Sequence, residues 1–114
     1  MNKITLDKVN NSFTIKFCLL KDGTMEWRLN DQVHREDGPA VISPNGDEFW
    51  FCHGRFHRIG GPAIKLSSGY QAWYSDGELH RVNGPAVRHD DGSEEWWENG
   101  LKSLPPENKL LRKI

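Results

Sequence analysis

A 23-residue repeat constrains the fold of this chain more than any other feature. The segment 27–46 recurs as 50–69 and as 73–92, and a further copy begins at Trp96, so the tryptophans are 23 residues apart with no insertion. A fixed period of this length is typical of stacked copies of one supersecondary unit. We therefore interpret every candidate site by its place in the repeat.

Length and repeat together predict one domain over residues 1–114. It divides into an N-terminal cap of one or more strands (1–22), three full copies (23–45, 46–68 and 69–91), a partial copy (92–102) and a C-terminal cap (103–114). Residues 15–23 match the second half of a copy when shifted by one period, so they are expected to start the sheet, with Ile4 and Leu6 in an added edge strand. After Pro105-Pro106, the spacing of Leu110, Leu111 and Ile114 favours a short helical cap.

Turn dipeptides punctuate each copy and predict an all-β fold. The segments between them are short and rich in aromatic and β-branched residues, which suit strands. Such dipeptides supply the positive φ of tight hairpins. They fall at Asp22-Gly23, Asn45-Gly46, Ser68-Gly69 and Asp91-Gly92 between copies; at Asp31-Gln32, His53-Gly54, Asp76-Gly77 and Asn99-Gly100 after the aromatic strand; and at Asp37-Gly38, Gly60-Gly61 and Asn83-Gly84 before Pro-Ala.

Two aromatic rows follow from the alternation of side chains along a strand. Only 36% of the residues are hydrophobic, so a thin core of large rings is expected. One row is expected to be exposed on a single-layer sheet and to mark a partner site. The first row, expected to be structural, is Trp27, Trp50, Trp73 and Trp96; Arg28, Phe51, Tyr74 and Trp97 occupy the opposite face, and Phe51, Tyr74 and Trp97 are the candidate binding residues.

The repeated Trp, Asx-Gly, His, Gly and Asp-Gly positions resemble those of MORN-repeat proteins. The motifs WWENG (96–100) and WYSDGELH (73–80) carry the resemblance, which covers 23–102. The repeated W-x(6)-H-R-x-x-G-P-A pattern departs from the common MORN form and is similar to a variant in uncharacterised phage and large-virus proteins. The resemblance implies a single twisted antiparallel β-meander with two main strands per copy, joined by the HRxxGPA segment. It also implies a scaffold or binding role without catalysis.

A repeated His-Arg pair precedes each Gly-Pro-Ala. Equivalent histidines two strands apart would be separated by roughly 10 Å, whereas zinc needs ligand atoms about 2.1 Å away, so no metal or other cofactor is expected. In the structural interpretation each His bonds a backbone carbonyl or a turn Asp, and each Arg covers a Trp ring. The alternative is a basic stripe that binds carboxylates or phosphates. The pairs are His34-Arg35, His57-Arg58 and His80-Arg81.

No catalytic set emerges from the remaining polar residues, so the chain is not expected to be an enzyme. Cys52 lies beside His53, but a nucleophile also needs a group that orients its base. Cys18 and Cys52 fit no zinc or redox spacing and are expected to be free thiols in a reducing compartment, the cytoplasm, or the host cytoplasm for a viral protein. No run approaches the roughly 20 apolar residues of a membrane span, so no membrane insertion is expected.

Three functions remain open. The first is a protein-binding module that uses one face of the sheet, in a phage or virus an inhibitor of a host defence protein. The second, less favoured at a net charge of −1, is a nucleic-acid or nucleotide binder that uses Arg35, Arg58, Arg81 and exposed rings. The third is a structural protein that self-assembles, for example as a homodimer.

Overall fold

The computed structural model describes residues 4–10 and 13–106, and the fold over these residues is all-β and antiparallel, as the repeat predicts. The expected C-terminal helix over 107–114 lies outside the described residues. The strands are β1 (Ile4–Asn10), β2 (Phe13–Leu19), β3 (Met25–Leu29), β4 (Gln32–Val33), β5 (Val41–Ile42), β6 (Glu48–Phe49), β7 (Phe51–Cys52), β8 (Arg55–Phe56), β9 (Ile64–Lys65), β10 (Gln71–Ala72), β11 (Tyr74–Ser75), β12 (Glu78–Leu79), β13 (Val87–Arg88), β14 (Glu94–Glu98) and β15 (Leu101–Ser103).

The main sheet runs in the order β1-β2-β3-β5-β6-β9-β10-β13-β14-β15, and β4 pairs with β3 beside this path. The short pairs β7–β8 and β11–β12 are separate hairpins. In each copy, the residues before the Trp of the aromatic strand therefore pair within the main sheet, and the residues after it pair with the next strand in a hairpin. At this point in the second copy the Trp50 N–H donates to the Ala63 carbonyl, while the Trp50 carbonyl accepts from the His57 N–H.

The register repeats with the sequence. Glu26 pairs with Val41, Phe49 with Ile64 and Ala72 with Val87, each pair one period after the last. Strand β2 fits the same pattern, because Cys18 faces Glu26 as Val41 faces Phe49 one period later. Residues 15–23 thus occupy the place of a return strand, and β1 adds the edge strand beyond them.

The most buried apolar side chains are small. The alanines of the Gly-Pro-Ala motif, Ala40, Ala63 and Ala86, have no exposed surface. The N–H of Ala63 donates to the carbonyl of Ala72 in the following copy, and its carbonyl accepts from Trp50 in its own copy. Two backbones approach this residue from opposite sides, so a larger side chain would hold them apart. The molecule measures 57 × 30 × 18 Å, which fits a thin, elongated array.

The hairpin turn of the first copy lies one residue earlier than expected. Asn30 and Asp31 have φ of 52° and 66°, equivalent to 50° and 79° at His53 and Gly54. Gln32 is already in β4, where it pairs with Leu29. The prediction of a turn at Asp31-Gln32 is therefore wrong. A two-residue hairpin of this kind needs positive φ at both central residues, and Asn and Asp tolerate that conformation better than most side chains.

The described part of the chain contains no helix of the length and apolarity that crossing a membrane requires.

Candidate functional site

Each arginine of the His-Arg pairs is enclosed by its own copy. The guanidinium carbons of Arg35, Arg58 and Arg81 lie 3.9, 3.8 and 4.0 Å from the ring centroids of the tryptophans at the start of their copies. On the other side, a Cβ added to Gly61 would lie 2.7 Å from the Arg58 guanidinium carbon. Nη1 of each arginine donates to a proline carbonyl at 3.1 Å, namely Pro39, Pro62 or Pro85. The expected contact between Arg and Trp is present, and it gives the Arg, Gly and Pro of the motif one shared structural role.

Each repeated histidine joins neighbouring copies as a hydrogen-bond acceptor. Nδ1 of His57 accepts the backbone N–H of Asp76 at 3.0 Å, and His80 accepts that of Asn99 at the same distance. His34 accepts from His53 at 2.8 Å. The expected partner, a turn Asp, is present at His57, where the bonding group is the Asp76 N–H and Oδ1 of Asp76 lies 3.6 Å from Nδ1. At His34 and His80 the same turn position is occupied by His53 and Asn99, and in all three cases the partner is a backbone N–H and not a backbone carbonyl. The first central residue of a two-residue hairpin has an N–H outside the hairpin ladder, and the ring nitrogen of the preceding copy satisfies it.

The second N–H of each turn also bonds the preceding copy. Gly54, Gly77 and Gly100 donate to the carbonyls of Val33, Phe56 and Leu79 at 2.8–2.9 Å. Sequence reasoning missed this double junction. The sequence feature that corresponds to it is the constant spacing of 19 residues between each His and the turn residue whose N–H it accepts.

The rings of both aromatic rows are half-buried, which differs from the expectation that one row is exposed. Phe56 fills the space between candidate residues, because its ring lies 4.5 Å from that of Phe51 and 5.0 Å from that of Tyr74. Burial raises the pKa of Tyr74. At Trp97, Nε1 donates to Glu95 Oε1 at 2.8 Å. The rings Phe51, Tyr74 and Trp97 thus contribute to packing within the hairpins and offer only their remaining surface.

The exposed apolar residues are elsewhere. Ile59 and Val82 are 89% and 66% exposed and occupy the same position in successive copies, directly after the His-Arg pair. Leu101 in β15 and Leu104 beyond it are 74% and 85% exposed. Sequence reasoning did not single out these four, although Ile59 and Val82 carry a detectable signal. Each is a bulky apolar residue in a connection that is too irregular to place it in the sheet.

A cavity of about 290 Å³ opens beside Ile59, between the HRxxGPA connections of the first and second copies. Trp50, Arg58 and Cys52 contribute to its lining, as do Arg35 and Glu36. Nε1 of Trp50 is buried and has no hydrogen-bond partner within the described part of the chain. The cavity therefore combines cationic, acidic and apolar groups in a small space.

Three potential metal ligands meet near this cavity. One ligand atom from each of His34, Cys52 and His53 lies within 4.8 Å of the others. The two imidazole rings are 4.3 Å apart, and His34 Nε2 lies 3.3 Å from Glu36 Oε2. Burial, followed by the negative charges of Glu36 and Asp76, raises the pKa of the Cys52 thiol. The sequence analysis expected that His34, His57 and His80, which are equivalent in the repeat, do not converge. The cluster instead combines His34 of the first copy with Cys52 and His53 of the second, which are not equivalent to it.

Three acidic residues of the aromatic strands, Glu26, Glu94 and Glu95, contact basic side chains. Glu26 contacts Arg28 at 3.2 Å, and Glu94 contacts Arg88 at 3.5 Å. Glu95 accepts from His89 Nε2 at 2.8 Å, and this hydrogen bond, with that from the indole of Trp97, lowers the pKa of Glu95. These contacts stabilise the strands, and they lie in different copies.

Comparisons of the chain with family models, with curated proteins and with solved structures return no match.

Proposed function

We propose that this chain is a non-enzymatic, MORN-like protein-binding module that contacts its partner through the connection edge. We define the connection edge as the row formed by Glu36, Ile59 and Val82, one residue from each full copy. The exposure of Ile59 and Val82 is the observation that carries the proposal. Exposed apolar side chains repeated along one edge lose water contact when a partner covers them, which favours binding.

The connection edge changes from acidic to apolar along its length. It begins with the carboxylate of Glu36 and continues with two aliphatic side chains, beside the cavity that Arg58 and Trp50 line. Protein interfaces commonly combine an apolar centre with a polar rim. The similarity to phage and viral repeat proteins makes a host defence protein the partner class that we propose, with inhibition as the outcome.

The same geometry weighs against nucleic-acid binding. Each arginine of the repeated pairs is stacked on a Trp ring and donates to a proline carbonyl. A guanidinium held in this way has fewer donors for phosphate, and the aromatic rows present no fully exposed rings for base stacking.

Affinity capture from cells of the native host tests the proposal. The wild-type chain is expected to retain a stoichiometric protein partner, which Ile59→Glu with Val82→Glu abolishes because carboxylates would have to be desolvated in the contact. Gln32→Glu with Ser68→Glu is the control, since it introduces two carboxylates at exposed positions outside the connection edge and outside β15. Retention of the partner by the double variant, or its equal loss in the control, would contradict binding at this edge.

Self-association is a second candidate, and the exposure of Leu101 and Leu104 favours it. Within the described residues β15 is the last strand of the sheet, and such a strand can pair with another chain. Light scattering at increasing concentration is expected to show a dimer that Leu101→Glu with Leu104→Glu converts to monomer. A wild-type monomer at every concentration would exclude this candidate and leave binding at the connection edge untouched.

A further inference from the structure

The junction between the first and second copies carries side chains with metal-binding atoms at three positions where the later junctions have other residues. Glu36 stands where the other full copies have Ile59 and Val82. Cys52 corresponds to Ser75 and Glu98, and His53 to Asp76 and Asn99. All three residues supply donor atoms that bind metals, and they surround the repeated histidine His34.

The repeat itself does not require these residues. His53 and Asp76 have the same φ of 50°, so the turn geometry is met equally well by Asp. Cys52 pairs with Arg55 just as Ser75 pairs with Glu78. The departures therefore change the chemistry of the junction without changing its backbone.

We propose that His34, Cys52 and His53 bind a divalent transition metal of the Zn²⁺ class, with Glu36 or water in the fourth position. One thiolate and two imidazoles favour zinc or cobalt over magnesium or calcium, which prefer oxygen ligands. The Cys52 thiol releases its proton to solvent as the sulfur–metal bond forms. This site does not depend on the protein-binding function.

The geometry is close to that of a bound metal. Around tetrahedral zinc, bonds of about 2.1 Å to nitrogen and 2.3 Å to sulfur place ligand atoms roughly 3.5 Å apart. The atoms of the cluster lie within 4.8 Å of one another, so they must approach by about 1 Å. Cys52 is half-buried and His53 is exposed on the turn, so rotation of these two side chains can close the site around His34.

His34 supplies the fixed end of the site. It is 2% exposed, and its Nδ1 already accepts the His53 N–H. A neutral ring with that bond carries its proton on Nε2, beside Glu36 Oε2. Coordination through Nδ1 displaces the amide hydrogen bond, and coordination through Nε2 moves the ring proton to Nδ1 and breaks the same bond. We therefore expect weaker binding than at a preformed structural zinc site.

Titration of the full, reduced chain with Co²⁺ tests the proposal. The thiolate is expected to give a charge-transfer band in the near ultraviolet, with the visible bands of four-coordinate cobalt, saturating at one metal per chain. Added Zn²⁺ should displace Co²⁺ and abolish both the charge-transfer band and the visible bands. Cys52→Ser and His53→Asp introduce the residues of the next copy, so they are compatible with the fold, which circular dichroism verifies. Cys52→Ser is expected to remove the charge-transfer band, and His53→Asp to weaken binding by about tenfold or more.

Two further variants separate this site from other binding. Cys18→Ser, which removes the only other cysteine, is expected to leave the spectrum unchanged. Ser75→Cys combined with Asp76→His copies the ligands to the next junction beside His57 and is expected to give two bound Co²⁺. The proposal is overturned if the wild type shows no charge-transfer band at tenfold excess of Co²⁺. It is equally overturned if the band survives Cys52→Ser or disappears in Cys18→Ser.

Discussion

Nδ1 of His57 accepts the backbone N–H of Asp76 at 3.0 Å, across the junction between two copies. The same bond joins His34 to His53 and His80 to Asn99. Because each turn also donates its glycine N–H to the preceding copy, the hairpins are held in register by two hydrogen bonds per junction. Stability should therefore depend on these histidines more than on exposed residues of the turns.

Replacement of His57 by Ala should reveal that dependence. The Asp76 N–H loses its acceptor, and the half-buried ring leaves a space, so we expect a loss of about 1–3 kcal/mol in the free energy of unfolding. Urea denaturation measures this loss. His57→Asn, which retains an acceptor oxygen, should recover part of it, whereas equal stability of wild type and His57→Ala would show that the junction bond is unimportant.

The contact between Arg58 and Gly61 predicts a coupled effect. A Cβ at Gly61 would lie 2.7 Å from the guanidinium carbon, so Gly61→Ala should displace Arg58 from the Trp50 ring. We expect a loss of about 1–2 kcal/mol, comparable to a partly buried cation–π contact. The double-mutant cycle is the control: after Arg58→Ala the same glycine substitution should cost much less. Additive losses would contradict the steric explanation.

The turn of the first copy can be improved. Asp31 has φ of 66°, a conformation in which the other copies have Gly. Asp31→Gly should relieve this strain and raise the free energy of unfolding by about 0.5–1 kcal/mol. The reverse change, Gly77→Asp, should lower it by a similar amount. Thermal or urea unfolding measures both, and a destabilising Asp31→Gly would argue against strain at this position.

Stability in acid should depend on Glu95. Its pKa is lowered chiefly by the hydrogen bonds from His89 and Trp97, so the ionised carboxylate stabilises the folded state. This contribution is complete above the ordinary carboxyl range and disappears as pH falls through the lowered pKa. The stability difference between wild type and Glu95→Gln should therefore shrink as the pH falls below about 4. A difference independent of pH down to acid unfolding would contradict this assignment.

The antiparallel sheet and its register were predictable because the turn pairs recur at a constant interval and the strands between them are too short for helices. The stacking of Arg58 on Trp50 was also predictable, since a side chain with a long stem lies near a repeated ring. The role of Gly61 was not, because it depends on how closely the connection approaches the guanidinium. Nor was the acceptor role of His57, which requires the position of an amide in the next copy.

The metal-ligand cluster escaped prediction for a related reason. His34 belongs to one copy, whereas Cys52 and His53 belong to the next, and no standard spacing joins them. The hydrogen bonds from the second hairpin turn to His34 and Val33 of the first copy bring them together. Comparison of equivalent positions could have flagged Cys52 and His53 as departures from the repeat, but not the presence of His34 beside them.

Amide hydrogen exchange, followed by NMR, tests the central structural claim most directly. Although they lie in surface turns, the N–H groups of His53, Asp76 and Asn99 should exchange at least about tenfold more slowly than in an unfolded chain. His57→Ala should remove the protection of Asp76 while leaving that of His53 and Asn99. Exchange of all three amides at unprotected rates in the wild type would contradict the junctions described above.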